Sequence, residues 1–295
     1  MTWSSDAPLP SAPRLDLGET PYAEVIGDPI YQSKSPLIHN FWLQKSGIRG
    51  DYRATRVRAD GLARYLADRR DDPAWRGCNV TIPHKIAIIE LVDSALRTAQ
   101  KVGAANCIYR SAKGLIGENS DVEGVLESID AVSGQRDAGI TCLIGAGGAA
   151  RAALHALDIA GLRELHIVVR RAERGQELLD SFGLAGTVHK FDDAAAAMHG
   201  ADTIINASPL GMIGQARMPP EVLDALPSVD PAALVFDMVY APLETQLLTA
   251  AAAHGLRTVD GLTMLIGQAD LAFQLFFQVP APRQHDAELR ALLTA

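Results

Sequence analysis

The chain predicts an α/β protein of two domains, and three observations carry that expectation. From Ile140 onward, short apolar runs alternate with segments of helical period. The first of those runs passes straight into the glycine-rich turn Gly145-Ala146-Gly147-Gly148-Ala149-Ala150-Arg151. Far upstream, Asn79-Val80-Thr81-Ile82-Pro83-His84-Lys85 packs an amide, a hydroxyl and an ammonium into one short stretch. At 295 residues the chain is long enough to bury two separate cores.

Taken in order, Tyr22–Gly27 reads as a first strand, closed by the turn residues Gly27, Asp28 and Pro29. Pro36 to Lys45 carries Leu37, Ile38, Phe41 and Trp42 at helical spacing. Strand and helix signals then alternate through to Ile108, which makes a first α/β unit. Ile140–Ile144 is an apolar run suited to a buried parallel strand. After the glycine turn a helix is expected from about Ala149 to Ala160, with Gly161 as its C-terminal cap. Leu165–Val169 is the next strand, Asp193–Met198 an alanine-rich helical stretch, and Thr203–Asn206 and Leu234–Met238 are further buried strands. Leu262 to Phe277 is a long amphipathic helix expected to pack back onto the first domain. The predicted organisation is a mobile leader over 1–20 and an α/β substrate-binding domain over 21–121, completed by 262–295. A Rossmann-type, doubly wound nucleotide-binding domain occupies 122–261, with a cleft between the two domains.

Composition narrows the classes. The chain is 48% hydrophobic and 21% charged, with a net charge of −8 and no long basic run, which argues against a nucleic-acid partner. Met1 to Arg14 is rich in Ser, Ala and Pro and lacks the basic start and apolar core of a secretory signal. No apolar run approaches the roughly 18–20 residues a bilayer span needs, so no membrane partner is expected. Cys78, Cys107 and Cys142 are scattered without any CxxC pairing, which points to a reducing cytoplasm, to small buried side chains and to no metal site. Monomer and homodimer are equally compatible with the sequence.

In the glycine turn, Gly145 permits the tight bend, Gly147 lets backbone approach a pyrophosphate, and Ala150 allows close helix–strand packing. The backbone N–H groups of Ala146, Gly148 and Ala149 and the helix N-terminus offer partial positive charge to the phosphates. At the end of the second strand, where an NAD site usually carries an acidic residue, stand Arg170 and Arg171, with Arg174 one turn on and Arg151 beside the turn. Four arginines in an acidic protein suggest a pocket for a ribose 2′-phosphate, hence NADP; the rival reading is solvated surface charge. A nucleotide cradle plus a separate polar grip is the outline of a dehydrogenase acting on a small molecule.

Several ordered blocks resemble the shikimate dehydrogenase family. They are Gly27-Asp28-Pro29-Ile30 with Ser33-Lys34-Ser35-Pro36 and His39, Asn79–Lys85, Gly103-Ala104-Ala105-Asn106, and Asn119-Ser120-Asp121. Asn206-Ala207-Ser208-Pro209-Leu210-Gly211-Met212, Asp237-Met238-Val239-Tyr240-Ala241-Pro242 and Gly261 through Gln268 complete the set, spanning Ala23 to Phe277. The resemblance implies NADPH-linked, reversible reduction of 3-dehydroshikimate to shikimate. It implies that Lys85 is the general acid–base, with Asp121 orienting it and sharing the proton. It also implies that Ser33, Ser35 and Tyr240 meet the substrate carboxylate, and that Asn79, Thr81, Asn106 and Gln268 meet ring hydroxyls. Ser208, Met238, Gly261 and Met264 fall to the cofactor. Met264 and Gln268, four residues apart, share a helix face.

Each assignment has a plainer rival: Ser33 and Ser35 as caps of the helix at Pro36, Asn79 and Asn106 as turn ties, Met264 as core. His39 and His84 are read as structural. The chain departs from the family pattern at Cys107 and Ser120, where threonines are usual. Val169 stands where an asparagine commonly precedes the phosphate-binding arginine, and Arg171 replaces a threonine. Within the resemblance, quinate/shikimate or aminoshikimate dehydrogenases share the same residues, and a non-catalytic nucleotide-binding regulator is the alternative from another class.

Overall fold

The computed structural model describes residues 20–133 and 137–295, so the leader expected over the first residues lies outside the described part. In chain order the elements are β1 (Tyr22–Gly27), α1 (Ser35–Ser46), β2 (Asp51–Arg56), α2 (Leu62–Arg70), β3 (Trp75–Val80), β4 (Ser94–Ala95), α3 (Arg97–Val102), β5 (Cys107–Ser111) and β6 (Gly114–Glu118). There follow α4 (Asp121–Ser133), β7 (Gly139–Ile144), α5 (Gly148–Ile159), β8 (Leu162–Val168), α6 (Ala172–Phe182), β9 (Thr187–His189), α7 (Ala194–Met198) and β10 (Thr203–Asn206). Last come α8 (Pro220–Ala225), β11 (Leu234–Asp237), α9 (Gln246–Ala253), β12 (Arg257–Val259), α10 (Gly261–Phe277) and α11 (Asp286–Thr294). They form two compact units, one of the described residues up to Ser120 with Ala269–Ala295, the other Asp121–Gln268. Helix α10 therefore starts in the second unit and finishes in the first.

In the first unit the sheet runs β2-β1-β3-β5-β6-β4. Strand β1 pairs in parallel with both β2 and β3, and its period-2 pattern feeds two cores. Tyr22 and Ile26 join Trp75, Cys78, Val80 and Ile88 on one face. Ala23 and Val25 join Tyr52, Cys107, Leu275 and Phe276 on the other. Glu24 is buried in this strand and its carboxylate is fully met: Tyr65 and Thr55 hydroxyls donate at 2.7 and 2.5 Å and the Arg69 guanidinium at 2.7 and 3.2 Å. Burial pushes its pKa up, but those donors outweigh it and hold the group below its ordinary range. Past Ile108, where the predicted alternation ends, β5 and β6 form an antiparallel hairpin. Ser111 and Gly114 close it, and so short a connection cannot carry a parallel crossover.

The second unit is the doubly wound sheet the sequence predicts: β12-β11-β10-β7-β8-β9, parallel throughout. The central strand β7 has β8 on one side and β10 on the other, so chain order reverses at β7, the place where doubly wound sheets bind ligands. Ala160 occupies the C-cap of α5, and Gly161, at φ 80°, follows it one position beyond the helix end. Helices α4 and α10 run against each other at Gly124, where a Cβ would lie 2.7 Å from the Met264 carbonyl oxygen. Cys78, Cys107 and Cys142 are free thiols, each buried in a different core cluster, two in the first unit and one in the second, as expected. Among the described residues no helix is long and apolar enough to cross a membrane.

Candidate active site

In the first unit the predicted polar residues collect at the carboxyl ends of β1 and β3. Asn79, next to last on β3, is buried; its Nδ2 donates to the Asn106 carbonyl at 3.3 Å and its Oδ1 accepts from the Tyr52 hydroxyl at 2.6 Å. Asn106 leads into β5 and is tied in turn to Ser120, accepting the Ser120 N–H at 2.7 Å and donating to its Oγ at 3.0 Å. Thr81 leaves β3 with its N–H on the Ile26 carbonyl at 2.9 Å, and Lys85 follows with its carbonyl accepting from Ala105 at 2.8 Å. The lysine is thereby anchored beside the Asn106 loop, with its side chain half-buried.

Ser33 and Ser35 open α1. Ser33 Oγ accepts the Ser35 N–H at 3.3 Å, while the N-cap position is Lys34 and no side chain caps the helix. Ser33 thus takes the first N–H of α1, in the manner of the rival reading, while Ser35 is itself the first residue of the helix. His84 Nε2 donates to the Val57 carbonyl at 2.7 Å, a structural tie. His39 is 0% exposed, and burial pushes its pKa down to about 3, so it is neutral.

In the second unit the glycine turn has the form a dinucleotide needs. Gly145 sits at φ 112° and a Cβ there would lie 3.1 Å from Ser208 and the Ala207 carbonyl carbon, so only glycine lets the turn close on Ser208. Gly147 is the N-cap of α5, no side chain caps that helix, and a Cβ at Gly147 would meet nothing within 4 Å. Gly148 and Ala149 thus begin a helix with no side-chain cap at its N-terminus, and these residues fit a pyrophosphate.

The arginines divide. Arg170 and Arg171 end the β8 loop and Arg174 lies in the first turn of α6, all three exposed. Arg174 pairs with Glu177 at 2.8 Å. Arg151 instead donates to Ser181 Oγ at 3.1 Å and lies over the Phe182 ring at 5.4 Å, so its side chain runs along α6.

Sequence reasoning missed the network that holds the surrounding loops. Asn206 and Asp237 are the last residues of β10 and β11 and pair across the sheet. Asn206 Nδ2 donates to Asp237 Oδ1 at 2.9 Å, the Val239 N–H donates to the same oxygen at 3.0 Å, and Thr245 Oγ1 donates to Oδ2 at 2.6 Å. Asn206 Oδ1 accepts the Ser208 hydroxyl at 2.6 Å. Burial pushes the Asp237 pKa up to about 6, against the pull of those three donors. A polar residue ending each of two apolar runs was the available signal. The loops so held carry Ser208, Met238 and Tyr240, and Gly261 packs its Cα against the Met238 carbonyl. Met264 is buried on α10, and Gln268 Nε2 bonds the Leu265 carbonyl of its own helix at 2.9 Å. Asp121 is buried as the first residue of α4.

Known proteins match this architecture along its length. The family model for the shikimate dehydrogenase substrate binding domain matches residues 25–108, and that for shikimate / quinate 5-dehydrogenase matches 130–225. A shikimate dehydrogenase (NADP(+)) from Sphingopyxis alaskensis is 51% identical over 94% of this chain and 98% of its own. The shikimate 5-dehydrogenase of Thermus thermophilus, solved with NADP(H) and shikimate, is 31% identical with a TM-score of 0.79, covering 92% of this chain and 99% of that one. Quinate dehydrogenase from Corynebacterium glutamicum, solved with NAD, is 28% identical with a TM-score of 0.81 over 93% of this chain and 100% of that one. With both halves matched in order and half of all positions shared with a full-length relative, the chain belongs to the shikimate dehydrogenase family.

Proposed function

We propose that this chain catalyses the reversible, NADPH-dependent reduction of 3-dehydroshikimate to shikimate. The observation that carries the reading is the 51% identity, over nearly the whole chain, to a relative named for that NADP-linked enzyme. Ser33, Ser35 and Tyr240 receive the carboxylate, and Asn79, Thr81, Asn106 and Gln268 the ring hydroxyls. Hydroxyl donors suit an anionic substrate in a chain of net charge −8. Such a set rejects analogues lacking a hydroxyl, because its own polar groups would be left unpaired. Lys85 holds the proton that the ring oxygen takes up as negative charge develops on it, and Asp121 orients the ammonium and shares the proton. NADPH, when bound, supplies the hydride. Gly145 to Ala149 hold its pyrophosphate, Ser208, Met238, Gly261 and Met264 border the nicotinamide half, and Arg170, Arg171 and Arg174, with Arg151 behind them, favour the 2′-phosphate. Three free thiols fit a reducing cytoplasm.

A second reading, quinate as co-substrate, is favoured by the likeness to the Corynebacterium glutamicum quinate dehydrogenase. The test is kcat/KM for shikimate and quinate with NADP and with NAD, for the wild type and for Lys85→Ala. Shikimate with NADP should be the best pair, and Lys85→Ala should lose about 100-fold or more in kcat, the usual range for a general acid. Equal use of quinate establishes the second reading; full turnover in Lys85→Ala removes the assigned chemistry.

A further inference from the structure

Three residues of the first unit form an array that none of these roles uses. Asn40 on α1 clasps the backbone of Tyr52 on β2: its Oδ1 accepts the Tyr52 N–H at 3.0 Å and its Nδ2 donates to the Tyr52 carbonyl at 2.8 Å. The adjacent His39 lays its imidazole flat on the Tyr52 ring, with centroids 4.0 Å apart and planes 4° from parallel. Among the described residues neither ring nitrogen of His39 has a hydrogen-bond partner. Leaving a buried imidazole unpaired is costly, so its contribution here is the flat face it gives Tyr52. Held at backbone and ring, Tyr52 reaches from β2 across β1 to β3. The sheet register sets Ala23 opposite Tyr52 and Val25 opposite Asn79, so only small and medium side chains of β1 lie beneath that path.

The chemistry of the Asn79 neighbours then fixes its amide. The Asn106 carbonyl can only accept, so the atom facing it is Nδ2. Oδ1 therefore faces Tyr52, and the phenol must donate. Burial holds that phenol protonated, with its pKa well above the ordinary value. One Nδ2 hydrogen is spent on Asn106, which leaves the second.

We propose that Tyr52 is a positioning residue for substrate: by donating to Asn79 Oδ1 it locks the amide so that Asn79 offers a donor, not an acceptor, to a hydroxyl oxygen of the bound acid. The proposal rests on the shikimate reading above. Tyr52→Phe keeps the ring and its stack on His39 and removes only the shorter of the two bonds that hold the amide, 2.6 Å against 3.3 Å to the Asn106 carbonyl, so Nδ2 is less tightly aimed. The KM for shikimate should rise about tenfold, the loss of one oriented hydrogen bond, while the KM for NADPH stays within about twofold. In an Asn79→Ala background the same change should add nothing further, because Tyr52 acts through Asn79. A reduced folded fraction would lower the apparent kcat without moving KM, so KM is the readout. An unchanged shikimate KM in Tyr52→Phe, a parallel rise in the NADPH KM, or an undiminished effect in the Asn79→Ala background overturns the proposal while the shikimate reading stands. Absence of wild-type turnover with either acid overturns both.

Discussion

Replacing Asp237 by Asn should remove the pH dependence of stability that this buried carboxylate imposes. Asp237 is 0% exposed and its pKa is raised by burial from 3.8 to about 6. Between those two values the folded chain holds a proton that the unfolded chain has released, so the free energy of unfolding falls as pH rises through that window and levels off above it. With those end points the cost to the folded state is about 0.5 kcal/mol at pH 4, about 1.5 kcal/mol at pH 5 and about 3 kcal/mol at pH 7. The amide in Asp237→Asn keeps an oxygen for the Val239 N–H and Asn206 Nδ2, now 3.0 and 2.9 Å from Oδ1. It places an NH2 where Oδ2 stood, toward Thr245 Oγ1, a hydroxyl able to accept. The Thr245 hydroxyl proton loses its acceptor, a cost that does not vary with pH, and the ionisation is gone. Relative to wild type, the variant should therefore gain about 2.5 kcal/mol between pH 4 and pH 7. Urea unfolding followed by far-ultraviolet circular dichroism at several pH values measures this directly. Parallel pH profiles for the two proteins would refute the reasoning, and would mean that Asp237 ionises in the fold as freely as in the unfolded chain.

Two further outcomes test the cofactor half. Arg170→Ala should raise the KM for NADPH about tenfold or more and leave that for NADH nearly unchanged, since one charge-assisted contact to phosphate is lost; equal effects on both cofactors would return Arg170 to ordinary surface charge. Gly261→Ala places a methyl 2.6 Å from the Met238 carbonyl carbon and 2.7 Å from that of Val239, so backbone must shift. A cost of about 1–3 kcal/mol should appear as a lowered thermal midpoint, and a wild-type midpoint would show that the Met238 loop yields freely.

The second unit was legible because its code is local. Ile140–Ile144 and Thr203–Asn206 are apolar runs of strand length, and the structure places strands at Gly139–Ile144 and Thr203–Asn206. The glycine turn between strand and helix needs no distant information to be read. In the first unit the hairpin of β5 and β6 was lost, because Arg110, Ser111 and Lys113 interrupt any clean alternation and the pairing is decided by the partner strand. Site residues divide in the same way. The glycines announce their role, since a backbone position is at stake. Tyr52 carries no such local sign, because its partner Asn79 lies 27 positions away and two strands over.

In both units, polar side chains at the ends of buried strands do the shaping. Asn206 and Asp237 close β10 and β11, and Asn79 stands one short of the end of β3. A polar group at such a place is too deep for water, so it must take its partners from the loop that leaves the sheet or from a neighbouring strand. Leaving any one of them unmet costs about 1–3 kcal/mol, comparable to a good part of the free energy separating two loop conformations. The strand end therefore selects the loop: Asp237 takes Val239 and Thr245, and Asn206 takes Ser208 and the Leu210 carbonyl. An apolar run that ends in Asn or Asp, followed by a loop of small residues, is thus a sequence sign of a loop whose shape is fixed before any ligand arrives. Replacing such a residue by an apolar one would spare the strand and free the loop, which is why the Ser208 and Met238 loops, rather than the sheet, should register the loss.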